Sequence, residues 1–432
     1  MKVTRRMVIA GIGASALSAC GSGTASVPVA RATAAPVANP AYDAWLAGFR
    51  ARAAGQGIAP ATLDAGLRTA GYRPEVVERD RNQTEFRRTL EDYFAIAASD
   101  ERIFKGQAAL PRWRPQLSAI EGRFGVPAHV VTAVWGLESM YGERRGDIPV
   151  VSATSTLAFD GRRGAFFESQ LLAALRILQR GDVTAERMVG SWAGAMGHTQ
   201  FIPTSFLAYA VDFTGDGRAD IWADDPTDAL ASAAAYLQRS GWQAGRPWGM
   251  EVRLPAGFNT AAAGRGNRRA SSAWAAMGVT DMAGRPLPDH GPAAILLPSG
   301  ARGPAFAVFR NFDVILRYNN AENYAIGVGH LSDRILGRPA IQAAFPPDAA
   351  GLTQADRREL QRRLTAAGFD TEGTDGVIGP RTVAAIACAA AAAPAGVQCV
   401  SVRRNGSSTR SNAGRRSLTT TPRSSSAPTK AS

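Results

Sequence analysis

Residues 42–57, YDAWLAGFRARAAGQG, and 166–182, FFESQLLAALRILQRGD, carry apolar side chains at the spacing that gives a helix one buried face, and segments of this period recur from residue 41 to about 345. A body of that length can bury a sizeable core. Only AAILLP (293–298) and AFAVF (305–309) break the period, as short apolar runs bounded by Gly and Pro, so a small strand-containing subdomain is expected near residues 250–312. The expected class is mainly α.

Ahead of this body the chain reads as an export leader. Lys2, Arg5 and Arg6 precede the apolar run MVIAGIGASA, which is too short to span a bilayer, and Leu17-Ser18-Ala19-Cys20 offers small residues at a cleavage point. Leu-Ser-Ala-Cys resembles a lipobox, which implies that Cys20 carries the acyl chains and anchors the mature protein to a membrane. Thr4-Arg5-Arg6-Met7-Val8 is similar to a twin-arginine signal, and a general secretory signal is the alternative. Gly21 offers no inner-membrane retention aspartate, so a periplasmic protein held at the outer membrane is favoured. Residues 1–20 are the leader and 21–40, small and nearly uncharged, a flexible linker.

The net charge of +13 points at first to nucleic acid. Seven of those charges (Arg403, Arg404, Arg410, Arg415, Arg416, Arg423, Lys430) lie in an acid-free tail and three in the leader, which leaves +3. No nucleic-acid site is expected, only weak attraction to anionic cell-wall polymers. With Cys20 taken by lipid, Cys388 and Cys399 remain; they could pair in an oxidising compartment, but no disulfide framework is implied.

The first chemical signal is VPAHVVTAVWGLESMYGE (126–143), a helix in which Val130, Val131, Val134 and Leu137 form an apolar stripe. Glu138 projects between Val131 and Val134, while Thr132, Gly136 and Ser139 fall on the opposite side. A carboxyl group held against apolar side chains keeps its proton more readily and can deliver it to a leaving oxygen. The structural alternative is a glutamate neutralised by Arg144 or Arg145. The second signal is GSWAGAMGHTQFIPTSF (190–206), whose Gly190, Gly194 and Gly197 would let the backbone approach a ligand beside Ser191, His198 and Gln200. Glycine turns of this kind also simply connect helices. His198 has no histidine four residues on, which argues against zinc.

A third segment, DFTGDGRADIWADDPTDA (212–229), places Asp212, Thr214, Asp216 and Asp220 at positions 1, 3, 5 and 9 of an EF-hand-like loop, with Gly217 at 6 and the Arg218 carbonyl at 7. Position 12 is Ala223, so Asp224, Asp225 or Asp228 would have to close the site; Asp228 is preferred because it opens the next helix. Calcium is the ion such oxygens suit, in a structural role, and a solvated acidic turn is the alternative.

Together with RYNNAENYAIGVGHLSDRI (317–335), these segments make the stretch 41–345 resemble the membrane-bound lytic transglycosylase B family of peptidoglycan-cleaving enzymes. The resemblance implies a lysozyme-like α+β catalytic body, with Glu138 as acid and base and Ser191, Gln200, Tyr236, Tyr318 and Tyr324 along the glycan groove. It implies cleavage between N-acetylmuramic acid and N-acetylglucosamine with closure of a 1,6-anhydro ring and no cofactor, by a monomer. Glu143, Asp147 and Glu168 are near enough in sequence to supply a second carboxylate.

Residues 346–387 contain LTQADRRELQRRLTAAGFDTEGTDGVIGPRTVAAI, which resembles a small helical peptidoglycan-binding module, although a plain helical hairpin would use the same turn residues. Its last helix runs into an alanine-rich segment, and 388–432 is expected to be a disordered basic tail. The rival functions are a non-catalytic wall-binding lipoprotein and a hydrolytic muramidase.

Overall fold

The Ala128–Ser139 helix has neighbours on every side, and its sequence explains why it can. Helices Asp100–Arg112, Arg114–Phe124, Thr227–Arg239 and Glu322–Ile335 all pack on it. Val131, Ala133 and Val134 are fully buried in the core they share with Leu230, Ala234, Phe312 and Val328. Each such valine contributes about 1.5–3 kcal/mol of burial. The one-sided stripe expected from the sequence is therefore corrected. Thr132, Gly136 and Ser139 are buried as well, and between Val130 and Ser139 only Leu137 and Glu138 are half-exposed. Small residues make this enclosure possible: a Cβ on Gly136 would stand 2.6 Å from the Tyr141 ring.

The structure is a computed structural model that describes residues 35–82, 89–348 and 350–392. Among the described residues sixteen α-helices and six short strands form two compact units, divided after Gln354. Helix ends follow local rules. Pro40–Gly55 starts at Asn39, whose side chain accepts from Tyr42 N at 3.1 Å, and Gly164–Arg180 stops at Gly181 in the left-handed region. A second core joins Phe49, Leu63, Leu171 and Leu175 to Met196, Phe201 and Phe206.

Six strands complete the first unit: β1 (Ile148–Pro149), β2 (Val189–Gly190), β3 (Gly249–Arg253), β4 (Thr280–Asp281), β5 (Ala294–Leu296) and β6 (Ala305–Val308). β1 pairs with β2, and the others form an antiparallel sheet in the order β4-β3-β6-β5, with Met250 and Ile295 both opposite Ala307. Val252, Ile295, Phe309 and the wholly buried Trp274 fill its core. The Trp274 indole N–H is satisfied by Ala293 O at 2.9 Å. β5 and β6 fall on the two apolar runs and β3 and β4 within the expected subdomain, whereas the short β1–β2 pair lies outside it.

In the second unit, helices Gln354–Ala366 and Pro380–Ala392 flank a glycine turn held by one buried amide. Gln361 Nε2 donates to Asp375 Oδ1, Val377 O and Thr382 Oγ1 at 3.1, 3.1 and 3.3 Å, and its Oε1 accepts from Gly376 N at 2.7 Å. The alanine-rich segment continues the last helix and leaves Val383 and Ile386 exposed. Cys388 is half-buried on that helix. Cys20, Cys399, the leader and residues 393–432 lie outside the described residues.

Candidate active site

Glu138 sits one residue before the end of the central helix, which is stopped by Met140 (φ 50°) and Tyr141 (φ 58°), two side-chain-bearing residues in left-handed conformation. Tyr141 is held by its hydroxyl, which donates to Arg102 O at 2.8 Å. The Glu138 carboxylate opens into a cleft of about 660 Å³ whose walls include Tyr93, Arg102, Leu137, Asn319, Asn323 and Tyr324. Tyr324 Oη donates to Glu138 Oε1 at 2.5 Å, a short hydrogen bond. Burial first, and then the Glu138 carboxylate, push the Tyr324 and Tyr318 hydroxyls well above the usual phenol range. Both therefore stay protonated donors.

The remaining expected groove residues form a second group. Tyr318 Oη donates to Thr199 O at 2.6 Å, its ring lies 4.8 Å from that of Tyr236, and the Tyr236 hydroxyl donates to Arg317 O. Gln200, at φ 51°, donates from Nε2 to Arg145 O and Gly197 O at 3.0 and 2.9 Å, which leaves its carbonyl oxygen for other donors. Ser191 Oγ accepts from Ala193 N and Ala195 N at 3.3 and 3.1 Å within its own turn. None of these four lines the cleft around Glu138; Tyr324 does.

The glycines of this segment act differently from the expectation. A Cβ on Gly190 would stand 2.1 Å from Ala195 O, and one on Gly197 2.3 Å from Ile221 O, so they let protein backbone pack on protein backbone. His198 is structural too. Trp135 Nε1 donates to its Nδ1 at 3.1 Å, so Nε2 carries the proton and donates to Ala223 O at 2.7 Å. Burial lowers its pKa and keeps the ring neutral.

At the acidic loop, carboxylate oxygens of Asp212, Asp216 and Asp228 lie within 4.8 Å of one another. Asp228 is the residue that closes the group. Its Oδ1 accepts from Phe213 N and Thr214 N, and its Oδ2 from Asp220 N, at 2.9, 3.0 and 3.1 Å. Asp212 accepts from Gly215 N and Gly217 N at 2.6 and 2.8 Å, and the Thr214 hydroxyl also points to it at 3.4 Å. Asp216 Oδ1 caps Arg218 N at 2.9 Å. Asp220 stands apart: its Oδ1 caps Trp222 N and Ala223 N, and its Oδ2 pairs with Arg187 at 3.1 Å. Three converging carboxylates with a hydroxyl nearby, and neither thiolate nor imidazole, form a donor set that fits a hard cation such as calcium.

Residues 41–333 match the transglycosylase SLT domain family. The chain belongs to that family. Residues 353–387 match a peptidoglycan binding domain. Membrane-bound lytic murein transglycosylase B of Escherichia coli (strain K12) is 34% identical over 219 residues, which cover 49% of this chain and 58% of that protein. The match thus spans less than two thirds of that relative's length. SltB3 from Pseudomonas aeruginosa, solved in complex with NAG-NAM-pentapeptide and with NAG-anhNAM-pentapeptide, is 47% identical at a TM-score of 0.70, over 82% of this chain and 95% of that one. The Escherichia coli lytic transglycosylase Slt35 in complex with calcium is 27% identical at a TM-score of 0.59, over 69% and 94% of the two chains.

The acidic groups near Glu138 bear on what chemistry is open. Glu143 accepts from Lys105 Nζ at 2.6 Å and Glu168 from Arg52 at 2.9 and 3.0 Å, so both are committed to surface ion pairs. Glu322, on the cleft wall, pairs with Arg265 at 2.8 Å. Arg145, one proposed neutraliser of Glu138, donates to Trp222 O at 2.7 Å and lies 3.5 Å from Asp224. Tyr93, Arg102, Asn319 and Asn323 escaped the sequence reading, because no local pattern marks a residue that reaches the cleft only through tertiary packing.

Proposed function

We propose that this SLT-family protein is a lytic transglycosylase that cuts the β-1,4 bond between N-acetylmuramic acid and N-acetylglucosamine in peptidoglycan and leaves 1,6-anhydromuramoyl ends. The observation that carries the reading is the Tyr324 hydroxyl 2.5 Å from Glu138 Oε1, which orients the Glu138 carboxyl group on the wall of an open cleft. Support comes also from the NAG-NAM-pentapeptide and NAG-anhNAM-pentapeptide complexes of the 47% identical SltB3.

In this mechanism Glu138 first gives its proton to the glycosidic oxygen as the C1–O bond breaks. The same carboxylate then takes the proton of the muramoyl C6 hydroxyl, whose oxygen closes on C1. No water is consumed and Glu138 ends protonated, ready for another turn. One carboxyl group thus serves both steps, in agreement with the ion-paired state of Glu143, Glu168 and Glu322. The deciding test is the mass of soluble muropeptides from digested sacculi: anhydro products weigh one water less than the products of a hydrolytic muramidase.

Three further assignments belong to this reading. Cys20 carries a lipid that holds the protein on the periplasmic side of a membrane, the outer one favoured. The relative named membrane-bound supports this, and no described helix is long and apolar enough to cross a bilayer. The second unit binds the peptidoglycan strand, in line with its family match. Asp212, Asp216 and Asp228 hold a structural calcium ion that takes no part in the chemistry.

A further inference from the structure

Arg102 is the most unusual charge in the first unit. It is 7% exposed, at the third position of the Asp100–Arg112 helix, and it lines the same cleft as Glu138. Its guanidinium donates from Nη1 to Ile96 O, and its Nε is fully buried with no hydrogen-bond partner. The carboxylate beside it in sequence, Glu101, is turned to Lys105 Nζ at 2.7 Å, and Arg102 forms no ion pair among the described residues. Arg73, buried to a similar degree at 5%, has Glu75 at 3.2 Å.

An arginine cannot shed its proton under ordinary conditions, and burying its charge without a countercharge costs several kcal/mol. A fold does not keep such a group on a cleft wall merely to cap one carbonyl, a task that a neutral donor performs more cheaply. Burial weakens the hold on its proton, and the nearby Glu101 charge only partly offsets this. Planar guanidinium donors match a carboxylate better than any other group on a saccharide–peptide polymer.

We infer that Arg102 binds a carboxylate of the peptidoglycan strand and sets which glycosidic bond is presented to Glu138. The inference rests on the transglycosylase reading above. Two sources share this chemistry: the free carboxyl groups of the stem peptide, and the lactyl carboxylate exposed on muramic acid once the stem has been removed. In either case Arg102 acts on binding and register, and Glu138 on bond cleavage.

The test uses the full chain, its Arg102→Gln and Arg102→Lys variants, and three strands: intact, stripped of stems by an amidase, and intact with all carboxyls converted to carboxamides. On intact strands Arg102→Gln should raise KM about tenfold, the worth of one charge-assisted hydrogen bond, with kcat within about twofold, and Arg102→Lys should restore much of the loss. On carboxamide strands wild type and Arg102→Gln should share one raised KM, the non-additivity expected when both changes remove the same contact. If the variant's loss appears only on stripped strands, the lactyl carboxylate is the partner; if it appears on intact strands and disappears on stripped ones, the stem is. An equal loss for Arg102→Gln on intact and carboxamide strands, or a fall in kcat with KM unchanged, overturns the proposal. Should the variants fail to fold, the wild-type comparison decides: an unchanged KM on carboxamide strands refutes carboxylate recognition. Absence of anhydro products from wild type on every strand would instead refute the transglycosylase reading.

Discussion

The Tyr324 hydroxyl and the Glu138 carboxylate, 186 residues apart in sequence, meet at 2.5 Å. Their bond couples the closing helix Glu322–Ile335 to the end of the central helix, so the orientation of the carboxyl group depends on a side chain from another helix. Glu138→Gln should abolish release of anhydromuropeptides from sacculi, with a loss near the upper end of the hundredfold to ten-thousandfold typical of general acid–base groups, because both proton transfers need it. Its thermal melt should stay within a few degrees of wild type. Tyr324→Phe should keep the fold and lower kcat about tenfold or more through loss of one hydrogen bond to a charged group. Wild-type rates in the phenylalanine variant would show that the tyrosine does not orient the acid.

Calcium should raise the melting temperature, since an ion that binds only the folded loop stabilises it by mass action. Asp216 is exposed, whereas Asp228 is buried and accepts three backbone N–H bonds, so Asp216→Ala is the cleaner probe. It should leave the melt without calcium nearly unchanged and remove the calcium response. A response that survives in Asp216→Ala would place the ion elsewhere.

His330 packs against Phe94 at 5.0 Å, and burial, with Arg334 in support, lowers its pKa from 6.5 to about 4. The unfolded chain then binds a proton more tightly than the folded one, so stability rises with pH through this window. The neutral ring contributes fully above about pH 6.5. That contribution fades as pH falls towards 4, by up to about 3 kcal/mol in all. Urea denaturation at pH 7 and pH 5 should show a smaller acid loss in His330→Gln than in wild type. Equal losses in the two proteins would mean that the imidazole does not carry the effect.

Cys20→Ser should move the protein from the membrane fraction to the soluble one, because a single residue bears the acyl chains in this reading. Fractionation of cells expressing each form checks it, and unchanged membrane association would remove the lipid anchor.

Much of this molecule could be read from residue order alone. Helical spacing located the Pro40–Gly55 and Gly164–Arg180 helices, and the two apolar runs located β5 and β6, since local periodicity governs those elements. The aspartate preferred for closing the acidic loop, Asp228, is the one that joins Asp212 and Asp216. Where the reading went astray, tertiary packing was the cause. A projection of the central helix cannot know that four other helices surround it, so Thr132 and Ser139 were assigned to the wrong environment. Asp220 matched a loop position but is drawn to Arg187, which lies 33 residues earlier. Arg102 carried no signal at all, because only tertiary packing brings it to the cleft.

The left-handed pair Met140–Tyr141 sets a limit on how this site can change. Each such conformation costs a side-chain-bearing residue about 1–2 kcal/mol, and glycine at either place would relieve it. Yet the Tyr141 ring fills the space over Gly136, and its hydroxyl reaches the carbonyl of Arg102. The strained turn is therefore the rivet between the helix that carries Glu138 and the helix that bears Arg102. Glycine at position 141 would relieve the strain yet give up a packed ring and its hydrogen bond, so one side chain ties the stability of the turn to the spacing between Glu138 and Arg102.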